Sequence, residues 1–384
     1  MNPDGLAFTL IALSLAIGSR PMQGQTPSFF RQFTTSGIDH AAAVAADPSG
    51  IYVIGDRWEL PGVQARAGVR KYDSLGNELW TREIRAITGG IVRLFSAAAD
   101  ATGVYVVSGE LDACVLRKYS PGGNELWIRP LGFSALCGAV ADATGVYVFG
   151  RDFPPAASYL RKYNADGAEL WTSRFGGPNA LDNIDGLAVD ATGVYAVGIA
   201  GRWSPSEVTA FAFVRKWDTR GNELWTRQLE MSPIAAGGAD TAGFYVVRGA
   251  RGLLLSKYDP AGNELWTRQV APTFSGVAAA DATGVYVVGG TSLAGPPLAG
   301  QCRHSSGGDF FVRKYDPDGE EVWTRQFGTA DAAWPSGVAL DAGGVYVVGE
   351  EGTAQVRDDL EHFDAFASAN PARGAFLAKF EKTA

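Results

Sequence analysis

The sequence predicts an all-β fold, a seven-bladed β-propeller with four antiparallel strands per blade whose last blade is completed by the N-terminal strand. Three observations lead there. A phrase of the form Asp-x-x-Gly followed by a short apolar strand recurs seven times, from Asp47, Asp100, Asp142, Asp190, Asp240, Asp281 and Asp341. A second phrase, Lys-aromatic leading into a turn and then "ELWTRQ" or a close copy, has its lysine at Lys71, Lys118, Lys162, Lys216, Lys257, Lys314 and Lys379. The tryptophans of that phrase (Trp80, Trp127, Trp171, Trp225, Trp266, Trp323) stand 41 to 57 residues apart, a spacing that suits propeller blades.

Each element follows from its residues. "VYVVG", "FVRKY" and "ELWTRQ" are rich in β-branched and aromatic side chains and are bounded by turn residues, which is strand composition. In "DPDG" (Asp316 to Gly319), Asp at the first position, Pro at the second and Gly at the fourth fit a type I turn closed by a left-handed glycine. The "DPSG" and "DATG" copies fit the same template, so each unit reads as two hairpins, A–B and C–D. Tryptophan marks six D strands, and the chain stops just after the seventh strand C. "FFRQF" (Phe29 to Phe33) matches "WTRQF" (Trp323 to Phe327) and supplies the missing strand. That closure removes an open sheet edge, which otherwise invites aggregation.

In register, the C–D hairpin is expected to pair Asp73 with Asn77, Tyr72 with Glu78 and Arg70 with Trp80, with arginines stacked on the indoles. Arg174 stands one residue late after Trp171, and a local bulge is expected there. A residue repeated in every unit is read as structural. The repeated lysines and A–B turn aspartates are expected to form a ring of ion pairs.

The phrases Asp-x-x-Gly-aliphatic-Tyr-Val and Arg-Lys-Tyr-Asp-x-x-Gly-Asn-x-Leu-Trp-Thr-Arg-Gln together resemble the SBBP-type repeat of bacterial seven-bladed β-propellers. The resemblance covers about residues 28 to 380. It implies the fold and a surface or secreted bacterial protein, and it implies no particular activity.

Composition narrows the function. The 384 residues are 46% hydrophobic, with 49 glycines, a net charge of −8 and a pI near 5.1. A nucleic-acid binder needs a basic face, so that partner is disfavoured. Leu6 to Gly18 is an apolar run with the length of a signal-peptide core, too short to span a bilayer with ease. The expected organisation is therefore a signal peptide over 1–24 and a single domain over 25–384. The mature chain is expected to be secreted or in the cell envelope, without an integral membrane segment, and monomeric. Cys114, Cys137 and Cys302 form no metal-binding pattern. Cys114 and Cys137 begin strands of neighbouring blades, where a disulfide fits if their Cα atoms approach to roughly 4.4–6.8 Å.

Function is expected where the repeat does not reach. The tight turns share one rim, and the other rim carries the D–A and B–C connections, which vary in length. Such loops on a rigid scaffold concentrate binding residues. The candidates there are Trp58, Asp182, Trp203, Arg303, His304, Asp331, Trp334 and His362. The three histidines (His40, His304, His362) lack the short spacing of a metal site, and Asp358, Asp359, Glu361 and Asp364 lack the spacing and glycine of an EF-hand, so no metal is expected. No nucleophile elbow, phosphate loop, HExxH or dinucleotide fingerprint occurs, and no catalytic residue is assigned. The leading expectation is a non-enzymatic scaffold, free of cofactor, that binds a protein or glycan through the loop-bearing rim. The alternative is a quinoprotein-like enzyme holding pyrroloquinoline quinone, since "GNELWTRQ" also resembles the Trp-bearing strand of quinoprotein repeats. Converging acidic and basic side chains at the funnel mouth would favour the enzyme, and a funnel of small and apolar residues the scaffold.

Overall fold

The computed structural model describes residues 26–383 except 34–37, 60–63, 88–90, 111–112, 134–136, 153–156, 177–181, 204–207, 233, 250–251, 273–275, 291–309, 328–331 and 353–373. Among the described residues the regular elements are 28 strands. The chain opens with β1 (Phe29–Phe33). Blade 1 comprises β2 (Ile38–Asp47), β3 (Gly50–Glu59), β4 (Gln64–Tyr72) and β5 (Glu78–Ile84). Blade 2 comprises β6 (Val92–Asp100), β7 (Gly103–Glu110), β8 (Ala113–Tyr119) and β9 (Glu125–Phe133). Blade 3 has β10 (Gly138–Asp142), β11 (Gly145–Asp152), β12 (Ala157–Tyr163) and β13 (Glu169–Phe175). Blade 4 has β14 (Asn183–Asp190), β15 (Gly193–Trp203), β16 (Val208–Asp218) and β17 (Glu223–Leu229). Blade 5 has β18 (Ile234–Asp240), β19 (Gly243–Gly249), β20 (Leu253–Tyr258) and β21 (Glu264–Ala271). Blade 6 has β22 (Gly276–Asp281), β23 (Gly284–Gly290), β24 (Phe310–Tyr315) and β25 (Glu321–Phe327). Blade 7 has β26 (Ala332–Asp341), β27 (Gly344–Gly352) and β28 (Gly374–Phe380), with β1 as its fourth strand.

Each blade is a four-stranded antiparallel sheet in sequence order, and β1 pairs with β28 from Phe29 opposite Lys379 to Phe33 opposite Ala375. The first strands of successive blades touch one another around the ring, and β26 touches β2. The seven-bladed ring is therefore closed as the repeats require. Apolar faces pack blade on blade, so the core is a circle of inter-blade clusters rather than one centre.

The two turns share a spelling but not a conformation. In the C–D turns the glycine is left-handed, as expected: Gly76 has φ 79°, and Asp73 N–H donates to the Asn77 carbonyl at 2.9 Å. In the A–B turns Asp47 pairs directly with Gly50, whose φ is 146°. The reason is crowding: a Cβ on Gly50 would lie 2.4 Å from the Tyr72 carbonyl oxygen of the neighbouring strand. The A–B aspartate also does more than shape its turn. Asp100 accepts the Thr102 N–H at 2.7 Å and the hydroxyl of fully buried Tyr105 at 2.8 Å. Burial, and then this aspartate, push the phenol's pKa up, so Tyr105 stays a neutral donor.

The expected C–D register needs a correction. Tyr72 does face Glu78, but a β-bulge follows, and Lys71 rather than Arg70 lies opposite Trp80. Leu79 is the extra residue, which explains why Leu79, Leu126, Leu170, Leu224 and Leu265 are all exposed. The bulge turns Lys71 and Trp80 toward the next blade and leaves Arg70 facing the previous one, where it sits over Phe33. Stacks on indole are made by the arginine two residues after the tryptophan where the blade carries one, as in Arg82 over Trp80 and Arg268 over Trp266.

The extra bulge expected near Trp171 is absent, and the ladder runs on regularly through Thr172, Ser173 and Arg174. Blade 4 carries Trp217 where most blades have tyrosine. Its indole N–H needs an acceptor, and Ser173 supplies one at 3.0 Å where other blades place arginine. Arg174 turns to the other face and pairs with Asp152 at 3.0 Å.

Candidate functional site

The repeated polar side chains are consumed in holding the ring together. Lys71 Nζ and Trp80 Nε1 both donate to the Pro121 carbonyl in the C–D turn of the next blade, at 2.9 and 3.0 Å. Arg82 Nε reaches the Gly123 carbonyl of the same turn at 2.8 Å. Lys118, Trp127 and Arg129 grip Ala165 and Gly167 in the same way, and Lys257, Trp266 and Arg268 grip Pro317 and Gly319. Each copy of the phrase is thus a plug for the following blade and a socket for the preceding one. At the seam β1 supplies the plug: Phe29 lies over Gly76, and Arg31 donates to the Gly76 carbonyl at 3.0 Å. The chain's C-terminal residues supply the last socket, where Trp323 reaches the Lys382 carbonyl at 3.1 Å.

The expected ion-pair ring is direct in part. Lys162 lies 3.6 Å from Asp142 and Lys257 lies 3.0 Å from Asp240, whereas Lys379 lies 4.0 Å from Glu381, which is not an A–B turn residue. In blades 1, 2 and 4 a hydroxyl intervenes, as where Lys118 donates to Thr102 and Tyr105. Burial lowers the pKa of Lys71, Lys118 and Lys216, and the turn aspartates only partly restore it.

Among the described residues, the loop-bearing half differs between the junctions at which it makes contacts. Blades 2 and 3 are joined by a disulfide between Cys114 and Cys137, whose Cα atoms are 6.5 Å apart. Blade 2 buries the Arg117–Glu110 pair, and both residues reach back to the chain leaving blade 1, at Arg85 and Ile87. Blade 6 sends Arg313 to the Val270 carbonyl of blade 5 at 2.6 Å. Blades 7 and 1 meet at His40, which lies 2.8 Å from Asp56 in its own blade and 3.0 Å from Glu350 across the seam. Burial alone would lower the imidazolium pKa. The hydrogen bonds to the two carboxylates, and their charge, reverse this and raise it to about 10.

Of the expected binding residues, Trp334 lies half-buried in β26, opposite Glu350. Asp182 accepts the Ser158 hydroxyl at its carbonyl and the Gly201 N–H at its carboxylate. Trp58 and Trp203 end long strands of the first and fourth blades, paired with Ile38 and Val208. Arg303, His304, Asp331 and His362 lie outside the described residues, as do most of the two longest loops. The four described residues lie on three blades: Trp58 on the first, Asp182 and Trp203 at the fourth, and Trp334 on the seventh. His40, whose spacing in the sequence only argues against a metal site, bridges the first and last blades of the ring. Asp56 faces it across the β2–β3 hairpin, whereas Glu350 is distant in sequence and only closure brings it near.

Two cavities are notable. One, about 440 Å³, lies among the innermost strands and is lined by Phe95, Ser96, Gly138, Ala139, Ile184, Asp185, Gly186, Leu187 and Ala235, with Phe149 and Cys137 beside them. Asp185 is the charged side chain among these, and no cation joins it in the described lining. A quinone bearing several carboxylates needs cations, so these residues do not fit it. The other cavity, about 230 Å³, is a slot of mixed apolar and charged lining in the face of blade 1 that meets blade 7. Val53, Gly55, Gly68, Arg70, Thr81 and Glu83 form its floor, and Phe33, His40, Asp56, Arg66 and Ala375 surround it.

Sheet order, ring closure and blade number define the chain as a seven-bladed β-propeller, and solved structures agree. It is similar to the β-propeller domain of the Trilobed protease from Pyrococcus furiosus, with TM-score 0.53 and 9% identity over 90% of this chain and 98% of that one. That domain has an open velcro topology, whereas here β1 closes the ring. It is also similar to the Dos1 propeller, with TM-score 0.52 and 12% identity over 94% of this chain and 96% of that one. A third similar structure is Raptor from Chaetomium thermophilum, with TM-score 0.53 and 12% identity over 94% of this chain and 29% of that one. At these identities the likeness establishes the fold alone. No protein-family model matches the chain, and no curated protein does. No helix among the described residues is long and apolar enough to cross a membrane.

Proposed function

We propose that this chain is an exported, SBBP-type bacterial propeller. It serves as a non-enzymatic binding scaffold that engages a protein or glycan through its loop-bearing rim. The observation that carries the reading is the cavity among the innermost strands, whose described lining is mostly apolar, with a single carboxylate rather than opposed acid and base groups. The repeated lysines, arginines and tryptophans support it too, because they are spent on inter-blade bonds. Export is supported by the apolar Leu6 to Gly18 run and by the Cys114–Cys137 bridge, since disulfides persist in oxidising compartments. The test is capture of a partner from an envelope extract, or on a glycan array, by the chain over 25–384. Shortening Gly290 to Gly308 should abolish capture while leaving the fold intact. Unchanged capture would count against the rim.

A further inference from the structure

The slot between blades 1 and 7 exists because one side chain is missing. Three residues before its repeated lysine, strand C carries Val115, Tyr159, Phe213, Leu254, Phe311 and Phe376 in six blades. Blade 1 has Gly68. Its backbone does not demand glycine: Gly68 pairs regularly with Gly55 and Glu83, outside the left-handed region. A Cβ there would meet the Arg82 carbonyl oxygen at 3.0 Å, close but without other obstruction inside 3.9 Å. The space that the other blades fill with an apolar group is here the 230 Å³ slot, room for roughly seven or eight waters at ~30 Å³ each.

The lining is chemically specific. Arg66, Gly68 and Arg70 alternate along β4 and so share the slot face. Thr81 and Glu83 stand opposite Arg70 and Gly68 on β5. His40 and Asp56 stand at the loop-bearing end, and the Phe33 ring forms a wall with the Arg70 guanidinium 5.2 Å from its centre. Arg82 borders the slot too, but its guanidinium is engaged with Gly123 and Trp80 on the other face. With His40 held as a cation between Asp56 and Glu350, cations outnumber carboxylates in the lining, in a chain whose net charge is −8.

We propose that this slot is a binding subsite for a carboxylated sugar, a uronic-acid ring taken either free or within an acidic polysaccharide. Arg66 and Arg70 take the carboxylate, which guanidinium recognises better than any other side chain does. Asp56, Thr81 and Glu83 take ring hydroxyls, and Phe33 covers an apolar ring face. The proposal stands apart from the loop-rim reading, because none of the residues assigned to it lies in the two long loops.

The test is titration calorimetry of the chain over 25–384 with galacturonate, trigalacturonate, galactose and acetate. Saturable binding of galacturonate is expected, with galactose and acetate each at least roughly tenfold weaker. Trigalacturonate binding much more tightly would identify a polysaccharide, and equal affinities the free sugar acid. Gly68→Val supplies the side chain that blade 2 carries as Val115 and should weaken binding at least tenfold. Arg66→Gln, at an exposed residue, should weaken it by about tenfold, with guanidinium unfolding of the variant checking that the fold is kept. The proposal is overturned if galactose binds as well as galacturonate. It is also overturned if no acidic probe saturates by tens of millimolar, or if Arg66→Gln binds as tightly as the parent.

Discussion

The two halves of the ring solve the same packing problem differently. On the turn-bearing half the grip of lysine, tryptophan and arginine on the next C–D turn recurs from junction to junction, and even the seam imitates it with Phe29 and Arg31. On the loop-bearing half a disulfide holds one junction, a buried Arg117–Glu110 pair another and a bridging histidine a third. A repeated joint can specify only a ring, because every blade must accept every neighbour. A joint made once is free to differ, so individual chemistry collects where the repeat relaxes. The slot left by Gly68 is of this second kind.

The comparison can be tested first where the repeated joint is most buried. Lys257 and Asp240 are each only 2% exposed. Lys257→Met leaves that carboxylate without its cation and should cost about 3–5 kcal/mol. At the seam, Lys379 faces the half-exposed Glu381, and Lys379→Met should cost less than about 1 kcal/mol. Guanidinium unfolding of both variants gives the contrast, and equal losses would mean that the seam is an ordinary junction. On the other half, Cys114→Ser removes a cross-link closing 23 residues of chain, with an expected loss of about 3 kcal/mol. Unfolding with and without reductant should reproduce it in the parent and not in the variant. Smaller again is Gly123→Ala. Its left-handed φ of 83° and the Trp80 ring 2.9 Å from a Cβ make the substitution strained, at about 1–3 kcal/mol. Tryptophan fluorescence should shift as Trp80 is displaced.

What was legible in the sequence follows the same division. Blade number, strand order and the β1 closure could be read because they rest on residue types repeated at regular spacing. The C–D turn could be read from Asp73 and Gly76, because a left-handed glycine has a chemical signature. The bulge at Leu79 could not be read, since an exposed leucine on an edge strand looks the same in either register. The sockets at Pro121 and Ala165 were hidden as well, because their acceptors are backbone carbonyls, which any residue offers. Gly68 stands in the sequence as one departure from an apolar position, and a departure carries no sign of the space it leaves. The contact between His40 and Glu350 exists only once the ring closes.

That contact gives the smallest and most selective prediction. His40 has its pKa raised to about 10 in the folded chain, against about 6.5 when unfolded. Below about pH 6.5 both states are protonated, and the bridge contributes its full stabilisation. As pH rises toward about 10 the folded state holds a proton that the unfolded state has lost, and the contribution falls away until the folded imidazole is neutral too. The buried lysines Lys71, Lys118 and Lys216 act in the opposite sense, since their folded pKa values are lowered. The difference between the parent and His40→Gln, rather than the raw profile, therefore isolates the bridge. Because the ring is 39% exposed, solvent screening limits that difference to about 1 kcal/mol. It should be present at about pH 6 and gone at about pH 10. A difference that does not change with pH would show that His40 joins the blades by packing alone. The seam would then resemble the repeated joints more than the unrepeated ones.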